Sequence, residues 1–493
     1  MPDDRAFPLP EGQPQQAGIA FNLPAEACCL TARADAMSLL IDAESYFRAL
    51  ASVIDQARHS IWILGWDFSP NLILERRLTG GASSGPPLMR LLIDKARANP
   101  GMDIRILIWD APLVMEEPRG VWNDPALHGD WPANLKVKLD GRVPLLGCHH
   151  EKLVAIDGNL VFLGGIDLAQ GRWDRIDHPI RDPRRHDRET GSYGPRHDVQ
   201  CCLKGPIARA ISQHMDRRWL DAHGTTHAAA EAGAGSSPMG TLWPKGLSRH
   251  FQDVEIAFSR TSGRYRGRDA VLEIEAQHIA LIEQAERLLY IENQYLTSRS
   301  IARALIAALR RRPELRVLVV GPRQPRGFIE KLTMRAGRRA FWDALCDAGM
   351  RERVRVTYPC LQHPDRRLQP IHVHSKFMVV DDRHLTIGSA NISNRSMSLD
   401  SECMITLTAR TGQERQGIAA LRNRLLSEHS GLDLGVVESL LQTDPFAILT
   451  TAGSRPRLLA ELPAASLRTS IGSKLLHWIM DPDRSPRRGQ PLS

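Results

Sequence analysis

A chain of 493 residues has room for two or three average domains, or for one large duplicated body with a buried core. With 42% hydrophobic and 24% charged residues and a mean hydropathy of -0.28, the composition excludes a disordered or fibrous chain. A formal charge of +8 favours anionic partners, without choosing among nucleic acid, an acidic membrane surface and a phosphorylated small molecule.

The start, MPDDRAFPLPEGQPQQ, is acidic and rich in Pro and Gln, so residues 1–25 are expected to be a flexible leader and no classical signal peptide is read there. Helical spacing in ESYFRALASVIDQA leads into a strand, SIWILGWDF, ending at Phe68. An amphipathic helix, LMRLLIDKARANP, and a strand, IRILIWDA, follow. This first half is assigned to 26–222. An Ala, Gly and Ser-rich linker spans 223–245. The second half, 246–435, repeats the order: VLEIEAQHIALIEQA into RLLYIENQYL, then SIARALIAALRRRP and LRVLVVGP. Residues 436–493 form a C-terminal extension whose last stretch is expected to fray. The alternation predicts an α/β fold of two similar mixed-sheet halves, packed about a pseudo-two-fold axis with one active site at their interface.

Each half then delivers the same pattern, H-x-K-x4-D, as His150, Lys152 and Asp157 and again as His374, Lys376 and Asp381. On a strand, residues two apart share a face, so each motif presents an imidazole and an ammonium together. The apolar run after each lysine reads as buried strand, and the aspartate ends it at a turn, where a structural role competes with a chemical one. One imidazole can attack phosphorus while the other protonates the leaving alcohol. The two lysines can hold the phosphate oxygens, a task that then needs no metal. The resemblance of these paired motifs to the phospholipase D superfamily implies Glu402, and at the equivalent place in the first half Asp198, as the carboxylates that orient the histidines.

No cofactor is expected. No third and fourth metal ligand stands at recognisable spacing, and the adjacent pairs Cys28-Cys29 and Cys201-Cys202 read as buried thiols. Ser389 and Asn391 can hydrogen-bond at a phosphate site, where the first half offers Gly164 and Gly165. Trp66, Trp173 and Tyr295 suit a pocket mouth or a core. His149, His372 and His384 lie near the motifs outside the pattern and are taken as structural.

With its paired motifs, the chain over roughly residues 40 to 430 resembles the phospholipase D superfamily. GGIDLAQGRWDRIDHP from Gly164, RHDVQCCLKGP from Arg196, YIENQYL from Tyr290 and GSANISNRSMSLDSE from Gly388 resemble the catalytic core of eukaryotic-type phospholipases D, in a minimal, bacterial form. The resemblance implies His150, Lys152, Asp157, His374, Lys376 and Asp381 as catalytic, with Gly165, Ser389, Asn391, Trp66 and Gln294 around the substrate phosphate. The N-terminal lipid-binding domains of the eukaryotic enzymes are not read in this sequence, which puts calcium or phosphoinositide control in doubt. The implied activity is hydrolysis or exchange of a glycerophospholipid head group through a phosphohistidine, by a monomer, cytoplasmic or peripheral to a membrane. No transmembrane segment and no nucleic-acid partner are expected. A cardiolipin synthase-like phosphatidyltransferase and a nuclease of the same superfamily are the alternatives.

Overall fold

The computed structural model describes residues 23–79, 82–110, 131–188, 190–223, 242–325, 328–463, 477 and 480–483. Most of the leader and of the linker expected from sequence lies outside these residues. In the first half the strands are β1 (Leu30–Ile41), β2 (Ser60–Gly65), β3 (Asp103–Trp109), β4 (Leu135–Asp140), β5 (Leu153–Ile156), β6 (Leu160–Gly164) and β7 (Val199–Lys204). Those of the second are β8 (Phe251–Ser262), β9 (Leu288–Asn293), β10 (Arg316–Val320), β11 (Val354–Gln362), β12 (Lys376–Val380), β13 (His384–Gly388) and β14 (Glu402–Thr408). Hydrogen bonding orders them β1-β7-β6-β5-β2-β3-β4 and β8-β14-β13-β12-β9-β10-β11. The second order is the first repeated, so the duplication read from sequence is a duplication of topology.

Joining the halves is an antiparallel pairing of β1 with β8, from Leu30 opposite Phe258 to Met37 opposite Phe251, within a single 17-stranded sheet. These two strands went unread in the sequence, yet they carry the edge-to-edge junction. A further strand, β15 (Arg457–Glu461), pairs with β11, so part of the expected C-terminal extension completes the second half. Both predicted strands that end at aromatic or apolar positions stop earlier: β2 closes at Gly65 and β9 at Asn293, and Phe68 and Leu296 make only isolated bridges, to Leu168 and Ile392.

Helix α1 (Asp42–Gln56) buries Tyr46, Phe47, Leu50, Val53 and Ile54, one face at helical spacing, against the first half-sheet. Helix α2 (Leu88–Ala98) joins the same layer with Leu88, Met89 and Leu92. On the second half, α4 (Glu273–Glu283) and α5 (Arg299–Arg311) do likewise with Ile274, Leu281, Ile301 and Leu305. Between these outer layers the halves share one apolar layer, including Val161, Leu163, Cys201, Phe258, Leu385, Ile387 and Ile405, with α3 (Pro206–His223) contributing Ile207 and Ile211. Strands β2, β3 and β4 run parallel, and so do β9, β10 and β11. Loops leaving their carboxyl ends therefore gather on one side, where ligands bind in open α/β sheets.

Candidate active site

Each motif lysine opens or immediately precedes a buried strand, and its histidine sits two residues earlier on the same face. The segments that carry the histidines cross between halves. His372–Val373 runs parallel to Arg196–His197, and His149 bridges Ser401 in the same sense. Backbone hydrogen bonds repeat the crossing: His150 N donates to Ser401 O at 2.8 Å, and His374 N donates to His197 O at 2.8 Å.

This places each imidazole against a carboxylate from the opposite half. His150 Nδ1 lies 3.0 Å from both carboxylate oxygens of Glu402, and His374 Nδ1 lies 2.8 Å from Asp198 Oδ2. With Nδ1 engaged, Nε2 is the nitrogen of each ring left for chemistry. Burial pushes the His150 imidazole well below its ordinary range, and the Lys152 and Lys376 ammoniums add to the shift. Burial, then Lys376 and Arg196, do the same to His374. Carboxyls move the other way: Glu402 is raised well above its usual range by burial and by Asp400, and burial raises Asp198 in spite of Lys376. Burial thus disfavours both the imidazolium and the carboxylate at each dyad.

The lysines are buried and differ in their partners. Lys152 Nζ meets Asp167 Oδ2 at 3.1 Å, whereas Lys376 Nζ donates to the neutral amide oxygen of Gln294 at 3.2 Å. Burial pushes Asp167 up, but the Lys152 ammonium and the Arg172 guanidinium outweigh it and the carboxyl sits below its usual range. Lys376 has no such counterion in contact among the described residues, and burial lowers its ammonium to about 7 against the pull of Asp198.

Trp66 fits the site. Its ring stands 6.4 Å from the His150 ring and 5.9 Å from Lys152 Nζ, and it stacks on Trp109 at 5.9 Å. Ser389 donates to Glu402 Oε2 at 2.5 Å. At the equivalent place the first half has Gly165, where a Cβ would collide with Asp198 Oδ1, so any side chain would displace that carboxylate. Asn391 is buried, and its Oδ1 has no hydrogen-bond partner among the described residues. Tyr295 is buried and accepts from Gln294 Nε2 at 3.0 Å, supporting the amide that meets Lys376.

Other expectations need correction. Asp157 and Asp381 are not brought to the histidines: seven residues of extended chain at ~3.3 Å each separate them. Asp157 accepts hydrogen bonds from Arg58 N, His59 N and Ser60 N, and Asp381 from Glu286 N, Arg287 N and Leu288 N. Both take positive φ, 50° and 49°, at the turn closing the strand. Trp173, read from sequence as suiting a pocket mouth or a core, is a core residue at 1% exposure, with the Arg76 and Arg184 guanidinia over its ring. Within the 172–188 loop Arg175 pairs with Asp177, Arg184 with Asp182 and Arg185 with Asp174, while Arg172 reaches out to Asp67.

Three groups went unread. Asp167, the counterion of Lys152, stands seventeen residues after His150, as Asn391 stands seventeen after His374, so aligning the two repeats would have found it. Behind His150, Glu151 accepts from the Ser401 hydroxyl at 3.2 Å, beside His149, taken above as structural, whose Nδ1 lies 2.8 Å from the same hydroxyl. Beside His374 lies a buried cluster of Asp42, His178, His197 and Glu428. His178 Nε2 is 3.0 Å from Glu428 Oε1 and 3.4 Å from Asp42 Oδ2; His197 Nδ1 is 3.0 Å from Glu428 Oε1 and 3.2 Å from Asp42 Oδ1. The other ring nitrogens meet Asp174 at 2.9 Å and Glu292 at 3.0 Å. These four side chains could hold a divalent cation, with Asp174 and Glu292 fixing the ring tautomers. Their scattered origins left no ligand spacing to read.

Two family models match the chain: one described as Phospholipase D over residues 133–304, and one described as Cardiolipin synthase, PLD-like domain, over 278–418. Among characterised proteins it is similar to phospholipase D1 of Saccharomyces cerevisiae, 24% identical, with 81% of this chain and 29% of that protein aligned. It is also 24% identical to phospholipase D alpha 4 of Arabidopsis thaliana, over 84% of this chain and 67% of the relative. The chain thus spans less than a third of the yeast protein. Among solved structures, phosphatidylserine synthase of Haemophilus influenzae matches its fold with a TM-score of 0.53 at 14% identity, covering 80% of this chain and 87% of that one.

Proposed function

Since the chain belongs to the phospholipase D superfamily, we propose that it cleaves the distal phosphodiester of glycerophospholipids such as phosphatidylcholine, transferring the phosphatidyl group to water or to an alcohol. The observation that carries this reading is the pair of crossed dyads, His150 with Glu402 and His374 with Asp198, beside two buried lysines. His150 Nε2 attacks phosphorus and the P–O bond to the head group breaks, the departing oxygen taking a proton from His374 Nε2. His374 then removes a proton from water or an alcohol, whose oxygen displaces His150 from phosphorus. Glu402 and Asp198 hold the rings and offset the charge that each acquires.

Protonation of His374 in a site that disfavours imidazolium requires a counter-charge, and the anionic phosphodiester supplies it. Lys152 and Lys376 hold the non-bridging oxygens as negative charge builds. The assignment of His150 as nucleophile rests on resemblance to relatives in which the first motif attacks.

A phosphatidyltransferase that uses phosphatidylglycerol as acceptor is the second reading, favoured by the match of residues 278–418 to a cardiolipin synthase model. Incubation with mixed phospholipids and a primary alcohol, with products identified by mass spectrometry, separates the two. Phosphatidic acid and phosphatidyl alcohol are expected. Cardiolipin as the dominant product would select the second reading, and degradation of single-stranded DNA with no lipid product would overturn both.

A further inference from the structure

On the site side of the sheet, β4 ends at Asp140 and the chain crosses to His150 through the loop Gly141–Gly147. The tip of this loop holds Leu145 and Leu146 in solvent, 80% and 41% exposed, and Leu139 just before it is 43% exposed. Scattered exposed leucines are ordinary, but an adjacent pair presented on a loop tip is not. Leu146 moreover adopts φ 67°, a left-handed conformation that a leucine rarely takes. The loop is fixed rather than loose. Arg395 donates to Leu146 O at 2.9 Å, Asp400 accepts from Cys148 N at 2.9 Å, and two residues on begins the His150–Glu402 pairing.

Beside the leucines lies a basic loop. A Cβ on Gly263 would meet Pro144 Cγ at 2.8 Å and Leu399 O at 2.6 Å, so Gly263, where the segment Gly263–Asp269 begins, packs directly against the leucine loop. It carries Arg264, Arg266 and Arg268, with Arg266 over the ring of Tyr265 at 5.3 Å. Arg264 and Arg268 are 74% and 70% exposed, and Arg142 sits at the base of the leucine loop. Asp221 pairs with Arg268 and its carbonyl accepts from Arg142, tying the loops together, and Asp269 meets Arg264. Four guanidinia against these two carboxylates leave the rim positive.

We infer that this face is a membrane-docking surface, with Leu145 and Leu146 entering the acyl layer of a phospholipid bilayer and the Arg142, Arg264, Arg266 and Arg268 rim meeting anionic head groups. An apolar tip inside a cationic and aromatic collar has the chemistry of an interfacial anchor. The charge of the rim selects an anionic bilayer over a neutral one. Docking here would set the mouth of the site against the lipid surface, because the leucine loop runs straight into His150. This inference rests on the phospholipid reading above.

The full chain and its Leu145→Ser/Leu146→Ser variant are compared for sedimentation with vesicles of phosphatidylcholine mixed with phosphatidylglycerol. The variant is expected to bind roughly tenfold or more weakly. It should keep wild-type turnover of a short-chain phospholipid dispersed as monomers, which also shows that it is folded. Arg264→Gln/Arg266→Gln should lose the part of binding that depends on the anionic lipid. If the double leucine variant folds poorly, Leu145→Trp replaces it: the emission of the introduced indole should shift to the blue on these vesicles and be quenched by brominated acyl chains. Undiminished vesicle binding by the leucine variant, or an unshifted emission from Leu145→Trp, overturns the inference. So does a wild-type dimer that the variant dissolves, since the leucines would then cover a second copy. Absence of turnover on monomeric lipid with vesicle binding intact counts against the phospholipase reading and leaves the surface standing.

Discussion

Lys376 carries the least compensated charge at the site, an ammonium with no exposure, facing an amide oxygen and a backbone carbonyl. Its value of about 7 in the folded chain lies below its ordinary 10.5, so between these limits the unfolded chain binds the proton more tightly. Stability therefore rises with pH across that window. Lys376→Met should remove this dependence and stabilise the fold by about 1–4 kcal/mol below pH 7, a gain that vanishes above 10.5. Turnover should fall by roughly 10²-fold or more. Thermal unfolding followed against pH checks the first outcome, and an unchanged profile would mean that the ammonium is compensated. The histidines behave differently. His150→Ala and His374→Ala should each lose about 10²-fold or more in rate, but an ester with a p-nitrophenol leaving group needs little protonation. It should restore the first step to His374→Ala alone, with phosphatidyl adduct accumulating on a His150 peptide. Rescue of His150→Ala would exchange the two roles.

At the scale of the element, the motif aspartates hold the strand ends. Asp157 ties the end of β5 to the three amides that lead into β2, and Asp381 does the same for β12 and β9. Asp157→Ala should cost about 1–3 kcal/mol, because three donors lose a charged acceptor and alanine disfavours φ 50°. Asp157→Asn should cost less, since asparagine tolerates that conformation and keeps an acceptor. Neither should change kcat at a temperature where both are folded; a fall in kcat would return Asp157 to the chemistry. What could be read from sequence follows the same division. Residues two apart on one strand, such as His150 and Lys152, are fixed by local geometry, and so were legible. Asp198 and Glu402 were named as orienting groups, but the crossing of each to the opposite half depends on how the segments 196–197 and 372–373 pair, which no local pattern carries. Asp157 and Asp381 were placed among the chemical residues because a motif records recurrence, which a turn carboxylate shares with a catalytic one.

Across the whole molecule, the halves are held by β1 with β8, by the crossed dyads, and by the buried cluster. Asp42, His178 and His197 come from the first half, and Glu428, Glu292 and His429 from the second. Asp42 takes φ 61° at the turn from β1 into α1, a strained position for the residue that faces both histidines. Two imidazoliums or one divalent cation would balance these carboxylates equally, and the two states have opposite pH signatures. In the protonic state burial opposes the charge, but Asp42 and Asp174 raise His178 to about 10 from 6.5. Its contribution would then be complete below 6.5 and lost as pH climbs through 10. A cation instead needs the ring nitrogens free of protons and is released by acid. Carboxylates on both nitrogens of His178 favour the protonic state, in which each ring N–H donates. A wild-type stability advantage over His178→Gln should therefore fade between pH 6.5 and 10, while EDTA leaves the unfolding temperature and turnover unchanged. A fall in unfolding temperature with EDTA would assign the junction to a cation instead.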